Sequence, residues 1–209
     1  MTSNEKGGLR MNTDSHNRTL KLVLTALMAA LAYISFTFLK INIPTPGGYT
    51  AFHLGNTFDV LASLLLGGWL GGIAGAIGMG IGDLLDPIYV TVAPKTIILK
   101  LGIGLITGLF AHKIFKIKTL EGKKLTKAVF LSSTAGMVFN IIGEPLFGYV
   151  YTAYILGTPE KAAKTLMAWN AITTTTNAVL TIIIASLLYL AIYPRLKNNG
   201  TLQKITPKD

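Results

Sequence analysis

The chain has 209 residues, 51% hydrophobic and 13% charged, with a mean hydropathy of +0.53. That is too apolar for an ordinary soluble domain and indicates one membrane-embedded bundle, with no length left for a soluble catalytic domain. The formal charge of +10 does not point to nucleic acid, because most Lys and Arg flank apolar runs, and the absence of Cys excludes disulfides, a Cys-based zinc site and a thiol nucleophile.

Residues 1–19 form a polar N-terminal tail. The first apolar segment, Leu20–Leu39, is longer than the apolar part of a signal sequence and is expected to be a retained span. Ala26 and Ala30 form a small-xxx-small pair on it, with Ala29 adjacent, a flat surface suited to packing another helix. Next comes KINIPTPGGYTAFHLGN, Lys40 to Asn56, where Pro44, Pro46, Gly47 and Gly48 forbid continuous helix. Tyr49, Phe52 and His53 add aromatic and polar contact groups, so the segment reads either as a lid over an outward-facing pocket or as an inert loop. Nothing near His53 has metal-ligand spacing, and no metal or cofactor is expected.

The region from Phe52 to Leu85 contains GGWLGGIAGAIGMGIG, Gly67 to Gly82, in which every second residue on average is glycine. As one helix the region is too long for a hydrocarbon core of about 30 Å; as two it gives short, glycine-rich helices joined near Gly67 to Gly72. The spacings Gly67/Gly71, Gly68/Gly72, Gly71/Gly75 and Gly78/Gly82 suit close intramolecular packing. Three basic segments decide the count: Lys6, Arg10, Arg18 and Lys21; Lys113, Lys116, Lys118, Lys123, Lys124 and Lys127; and Arg195, Lys197, Lys204 and Lys208. All three share the cytoplasmic side only if an even number of crossings separates each pair, which requires two helices here. The remaining spans lie within Ile97–Ala111, Ala128–Tyr154 and Met167–Tyr193. The expectation is an all-α integral membrane protein. A compact six-helix bundle over residues 20–194 has both termini cytoplasmic, a basic tail at 195–209, and Lys40 to Asn56, Leu85 to Lys95 and Ile155 to Lys164 outside.

Asp59, Asp83, Asp86, Lys100 and Glu144 lie in or at the ends of apolar spans, where an ionised group costs roughly 2.5 to 3.5 kcal/mol unless paired or in water. They read as a ligand site or as internal pairs such as Lys100 with Asp83 or Asp59. Helical spacing puts Asn140 with Glu144, and Asn170 with Asn177, on shared faces, able to hydrogen-bond a small hydrophilic ligand or one another; Thr173 to Thr176 add hydroxyls nearby. No GxxxxGK[ST], HExxH or GxSxG element is present, so an enzymatic function or ATP hydrolysis by this chain is not expected.

The alanine-rich first helix, the segment KINIPTP followed by FHLGNTFDVLASLLLGGWLGGIAGAIGMGIGDLL, and the later APKTIILKLGIGLITGL resemble the substrate-binding S components of energy-coupling factor (ECF) vitamin transporters over about residues 20 to 190. The wording is most similar to the riboflavin-type and hydroxymethylpyrimidine/pyridoxine-type branch. The resemblance implies a six-helix subunit of a prokaryotic plasma membrane that binds a water-soluble vitamin from outside. It delivers the vitamin by docking Ala26 and Ala30 on a membrane coupling subunit that carries two cytoplasmic ATPases, with Pro44 to His53 as the gating loop. Pyridoxine or hydroxymethylpyrimidine is the first expectation and riboflavin the second; with only Trp69 and Trp169, a thiamine-type tryptophan-rich signature is missing. Polarity and position nominate Lys100, Asn140, Glu144, Trp169, Asn170 and Asn177 as pocket residues, with Tyr49, Phe52, His53 and Tyr151 adding ring and polar contacts. The competing reading is an autonomous proton- or sodium-coupled transporter using Asp59, Asp83 or Glu144. It normally comes with paired broken helices in two repeats, and the glycine-rich region has no counterpart in the second half.

Overall fold

The computed structural model describes residues 3–207, with side chains from residue 15 onward; the side chains of Lys6 and Arg10, and all of Lys208, lie outside the described residues. It is mostly helical. Helix α1 (Ser3–Phe38) leads into a hairpin of β1 (Ile41–Thr45) and β2 (Gly48–Phe52), then α2 (Gly55–Leu66), α3 (Gly68–Leu84), α4 (Ala93–Gly108), α5 (Gly122–Val150), α6 (Glu160–Asn198) and the short α7 (Thr201–Ile205). Helices α4 and α5 each run on into π-helical turns, Leu109–Ile114 and Tyr151–Ile155. Among the described residues, four helical stretches are long and apolar enough to cross a membrane: 15–38, 90–114, 122–155 and 160–198. The 12-residue α2 and 17-residue α3 are shorter, as two helices made from the region Phe52 to Leu85 must be.

Helices α2 and α3 part at Gly67, whose φ of +92° an L side chain rarely adopts. From there the glycines of α3 point in three directions. A Cβ on Gly104 of α4 would lie 2.2 Å from the backbone nitrogen of Gly72, and one on Gly108 equally close to that of Gly68, so α3 and α4 meet backbone to backbone. Gly71 and Gly75 rest on Ser63 and Asp59 of α2, while Gly78 rests on the Ala29 carbonyl of α1 and Gly82 on Phe36. Without a hydrophobic drive between helices in lipid, this closeness supplies the dispersion contacts that hold α3 among three neighbours.

The main core lies around α2 and the ends of α5 and α6, with Val60, Leu64, Ile103, Ile117, Val129, Met137 and Tyr189 fully buried. The C-terminal segment folds under this end: Leu202 and Ile205 are buried, Lys21 Nζ donates to the Thr206 carbonyl at 3.3 Å, and Lys118 Nζ donates to that of Pro207 at 3.4 Å. Lys197 pairs with Glu121 there. The start of α1's apolar run, the α4–α5 connection and the C-terminus thus share one end of the bundle. The hairpin and the α3–α4 connection lie at the other, joined by Lys40 to Asp86 at 2.5 Å.

The hairpin is the departure from an all-α fold. Pro44, expected to sit in a loop, lies inside β1, opposite Tyr49 in the register Ile41↔Phe52 to Thr45↔Gly48. A two-stranded ribbon tolerates proline wherever its missing N–H faces away from the partner.

Gly104→Ala places a methyl against Gly72 backbone, which cannot move alone, whereas Gly143→Ala meets side chains alone, Leu99 at 3.1 Å and the Phe139 ring at 3.9 Å. Thermal unfolding in detergent is expected to show a loss of about 2 kcal/mol or more for the first and under about 1 kcal/mol for the second.

Candidate ligand-binding site

The hairpin roofs a cavity at the end of the bundle away from the C-terminus. Its turn, Pro46 and Gly47, sits so near α6 that a Cβ on Gly47 would lie 2.4 Å from the Ala162 carbonyl oxygen. Asn177 of α6 fastens the second strand with both ends of its amide: Oδ1 accepts the His53 backbone N–H at 3.1 Å and Nδ2 donates to the Ala51 carbonyl at 3.0 Å. The hydroxyls of Thr50 and Thr173 meet at 2.7 Å, and the Tyr89 hydroxyl reaches Asn42 Oδ1 at 3.0 Å and the Thr50 carbonyl at 3.2 Å. Lys40 completes the attachment. Its ammonium donates to Asp86 and lies 4.6 Å from the Tyr89 ring centre and 5.2 Å from that of Phe36, a favourable position over aromatic faces. Burial alone would raise the Asp86 carboxyl, but the Lys40 hydrogen bond, the Ile88 backbone N–H and the Lys40 charge together outweigh it and hold Asp86 below the usual carboxylate range.

Beneath the hairpin, five helices supply polar side chains to one space with a cavity volume of about 80 Å³. Asn56 comes from the first turn of α2 and Asp83 from the last turn of α3; α4 contributes Lys95, Thr96 and Lys100. Asn140 and Glu144 share a face of α5, just before Pro145, which leaves the carbonyl of Ile141 without its helical N–H donor. Asn170, Thr173, Thr174 and Asn177 form one stripe of α6 at helical spacing. Lys95 and Glu144 are ion-paired, with side chains 9% and 18% exposed. His53 closes the roof edge-on against Phe36, ring centres 4.8 Å apart. Burial first, then the nearby Lys100 and Lys40 charges, push its imidazole down to about 3, so it is neutral at physiological pH.

Of the residues nominated from sequence, Tyr49, His53, Lys100, Asn140, Glu144, Asn170 and Asn177 line this space. Three do not. Phe52, at the end of β2, does not line it, although Ala51 and His53 on either side do. Tyr151 uses its hydroxyl to donate to the Thr91 carbonyl at 2.9 Å, tying α5 to the start of α4. Trp169 is 41% exposed beside the lining residue Asn170. Asn177 also differs in role: its amide holds the hairpin and leaves only one N–H uncommitted. Lys95, Asn56, Thr96, Thr50 and Tyr89 line the space without having been nominated, and so does Asp83, which the sequence offers as part of a ligand site or of an internal pair. The signal for Asp83 and Lys95 was present, since both are charges at the ends of apolar runs that point to the same outer side.

Asp59, fully buried, lies outside the lining, and neither carboxylate oxygen has a hydrogen-bond partner among the described residues. Ala26 and Ala30 are exposed on α1 amid Leu22, Val23, Leu27 and Ile34, while Ala29 is buried towards α3. The described residues hold no group of three or more His, Asp or Glu suited to a metal ion.

The chain matches the family described as ECF-type riboflavin transporter, S component, over residues 16–194. A Pyrococcus woesei protein designated "uncharacterized protein in gap 3'region" is 27% identical over 129 residues, 62% of this chain and 76% of that protein. Among solved structures, ThiT from Listeria monocytogenes has the same fold: the TM-score is 0.59 at 17% identity, covering 91% of this chain and 99% of that one. The match across most of its length makes this chain a member of the ECF-type riboflavin transporter S-component family, a multi-pass membrane transport subunit that binds a vitamin and works with an ECF module, and not an enzyme.

Proposed function

We propose that this chain is the high-affinity receptor for one water-soluble vitamin in a prokaryotic plasma membrane, and that it hands the vitamin to an ECF coupling subunit carrying two ATPases. The observation that carries the reading is the cavity itself: a polar space lined from five helices at one end of an apolar bundle and roofed by the hairpin. Polar groups inside a membrane bundle are costly unless they serve a site, and this one converges ring and hydrogen-bonding groups as a small polar ligand requires.

Orientation follows from charge. The basic segments around Lys21, Lys118 and Lys197 gather at the C-terminal end of the bundle, which supports that end as cytoplasmic and the hairpin end as outside. With α2 and α3 each crossing as a short helix, six spans place both termini inside. The hairpin then acts as a lid on the outer mouth. Exposed Ala26 and Ala30 give α1 a shallow strip on which a partner helix can pack closely, in keeping with docking of a coupling subunit. Pyridoxine or hydroxymethylpyrimidine leads as ligand, because the lining is rich in hydrogen-bonding groups; riboflavin, the vitamin in the family's name, is second.

Equilibrium dialysis of the purified protein against pyridoxine, hydroxymethylpyrimidine, riboflavin and thiamine tests the reading. One of the first three is expected to bind at micromolar concentration or tighter, and failure of all three removes it. Ala26→Trp and Ala30→Trp are expected to abolish uptake by the assembled transporter while the dissociation constant stays within about twofold; equal loss of binding and uptake would contradict a docking role. Asn177→Ala removes both amide bonds to the hairpin, so stopped-flow release of bound vitamin should accelerate by about tenfold or more, corresponding to roughly 1 kcal/mol or more of lost fastening. An unchanged release rate would count against the hairpin as a lid.

A further inference from the structure

Two groups of opposite charge face the cavity with polar atoms that the protein leaves unbonded, although Thr96 hydrogen-bonds the carboxylate of one of them, Asp83. Lys100 of α4 is 4% exposed, and its ammonium makes neither a hydrogen bond nor an ion pair among the described residues. Asp83, at the end of α3, is 1% exposed and leaves Oδ1 without a hydrogen-bond partner. The other charges nearby are engaged or set back. Lys95 holds Glu144 and Lys40 holds Asp86; His53 is neutral; Asp59 packs on Gly75 outside the lining. The Lys100 charge faces the carboxylates of Glu144, Asp59 and Asp83 without a hydrogen bond to any of them. A buried ammonium with no acceptor and a buried carboxylate oxygen with no donor are expensive to keep, and a ligand that answers both relieves that cost.

We propose that Lys100 and Asp83 select a dipolar heteroaromatic ring, one bearing an acidic ring hydroxyl and a basic ring nitrogen, with the oxyanion set towards Lys100 and the protonated nitrogen towards Asp83. The proposal rests on the cavity being the vitamin site described above, and it narrows the class of vitamin. Formation of the dipolar form needs no other reactant: the ring O–H bond breaks, a ring N–H bond forms, and the proton stays on the ligand. In an apolar cavity the dipolar form is disfavoured unless opposite charges face its two ends, so its presence in the bound state reports on these two residues. A ring lacking either group leaves one buried charge unanswered, the situation in which polar sites discriminate most strongly.

Pyridoxine is the probe, because its ultraviolet absorption distinguishes the dipolar from the uncharged ring. Titrated into the purified full-length protein, it is expected to bind with the dipolar spectrum. The 3-O-methyl ether, which cannot form the oxyanion, is expected to bind about a hundredfold or more weaker. Lys100→Met and Asp83→Asn should each weaken pyridoxine by about tenfold or more and move the bound spectrum towards the uncharged ring. Pyridoxine bound with the uncharged spectrum, or binding of its ether with equal affinity, overturns the proposal, and this result needs no variant to fold. Riboflavin binding without pyridoxine binding also overturns it and leaves the vitamin-receptor reading standing, whereas failure of both ligands together with hydroxymethylpyrimidine removes both.

Discussion

A helix of twelve residues is too short to fill the thickness of a bilayer on its own. At 1.5 Å per residue α2 is about 18 Å long, well short of a hydrocarbon core of about 30 Å, and the rest of the structure follows from how that shortfall is filled. The chain before α2 turns back as a hairpin that roofs the cavity at that end of the bundle. Non-helical backbone packed on an apolar bundle is tolerated only where its polar groups are satisfied. Here the two strands satisfy one another, and Asn177, Thr173 and Tyr89 take up groups the ladder leaves over. The cavity is what remains between the hairpin and the short helix below it.

The glycines of α3 make the arrangement possible. A helix that contacts α1, α2 and α4 at backbone distance draws the lower part of the bundle together, and Gly67 lets α2 and α3 separate without an intervening loop. The same closeness fixes where charges can go. Asp59 is pressed on Gly75 in the interior, while Asp83, at the far end of the same helix, reaches the cavity. Packing of small residues thus decides which carboxylate meets a ligand and which stays in the scaffold, and it gives the proposed receptor a rigid floor beneath a lid held by a few polar contacts.

Much of this was legible in the sequence. The hinge near Gly67, the two short helices and the polar stripes on α5 and α6 follow from spacing alone, because helical periodicity depends on the chain and not on its neighbours. The hairpin was legible as non-helical but not as paired strands: Pro44 and Pro46 speak against a strand locally, and only the register with Tyr49 shows that Pro44 can be accommodated. Phe52, Tyr151 and Trp169 were chosen as aromatic groups near the expected mouth. Which way an aromatic ring points is set by tertiary contacts, as the bond from Tyr151 to Thr91 shows. The pairing of Lys95, though not its charge, is hidden for a related reason, since its partner Glu144 lies 49 residues away on another helix.

The central claim is that the vitamin occupies the space beneath the hairpin. The native chain has no cysteine, so single cysteines can be placed without background. Thr174→Cys lies on the cavity wall at 5% exposure, and Trp169→Cys lies outside it on the same helix at 41%. Maleimide labelling of each, with and without saturating riboflavin and pyridoxine, is the direct measurement. Addition of vitamin should slow labelling at 174 by about tenfold or more and leave 169 unchanged, as burial under a bound ligand requires. Equal rates at 174 with and without vitamin, in a protein shown to bind one of them, would contradict the account.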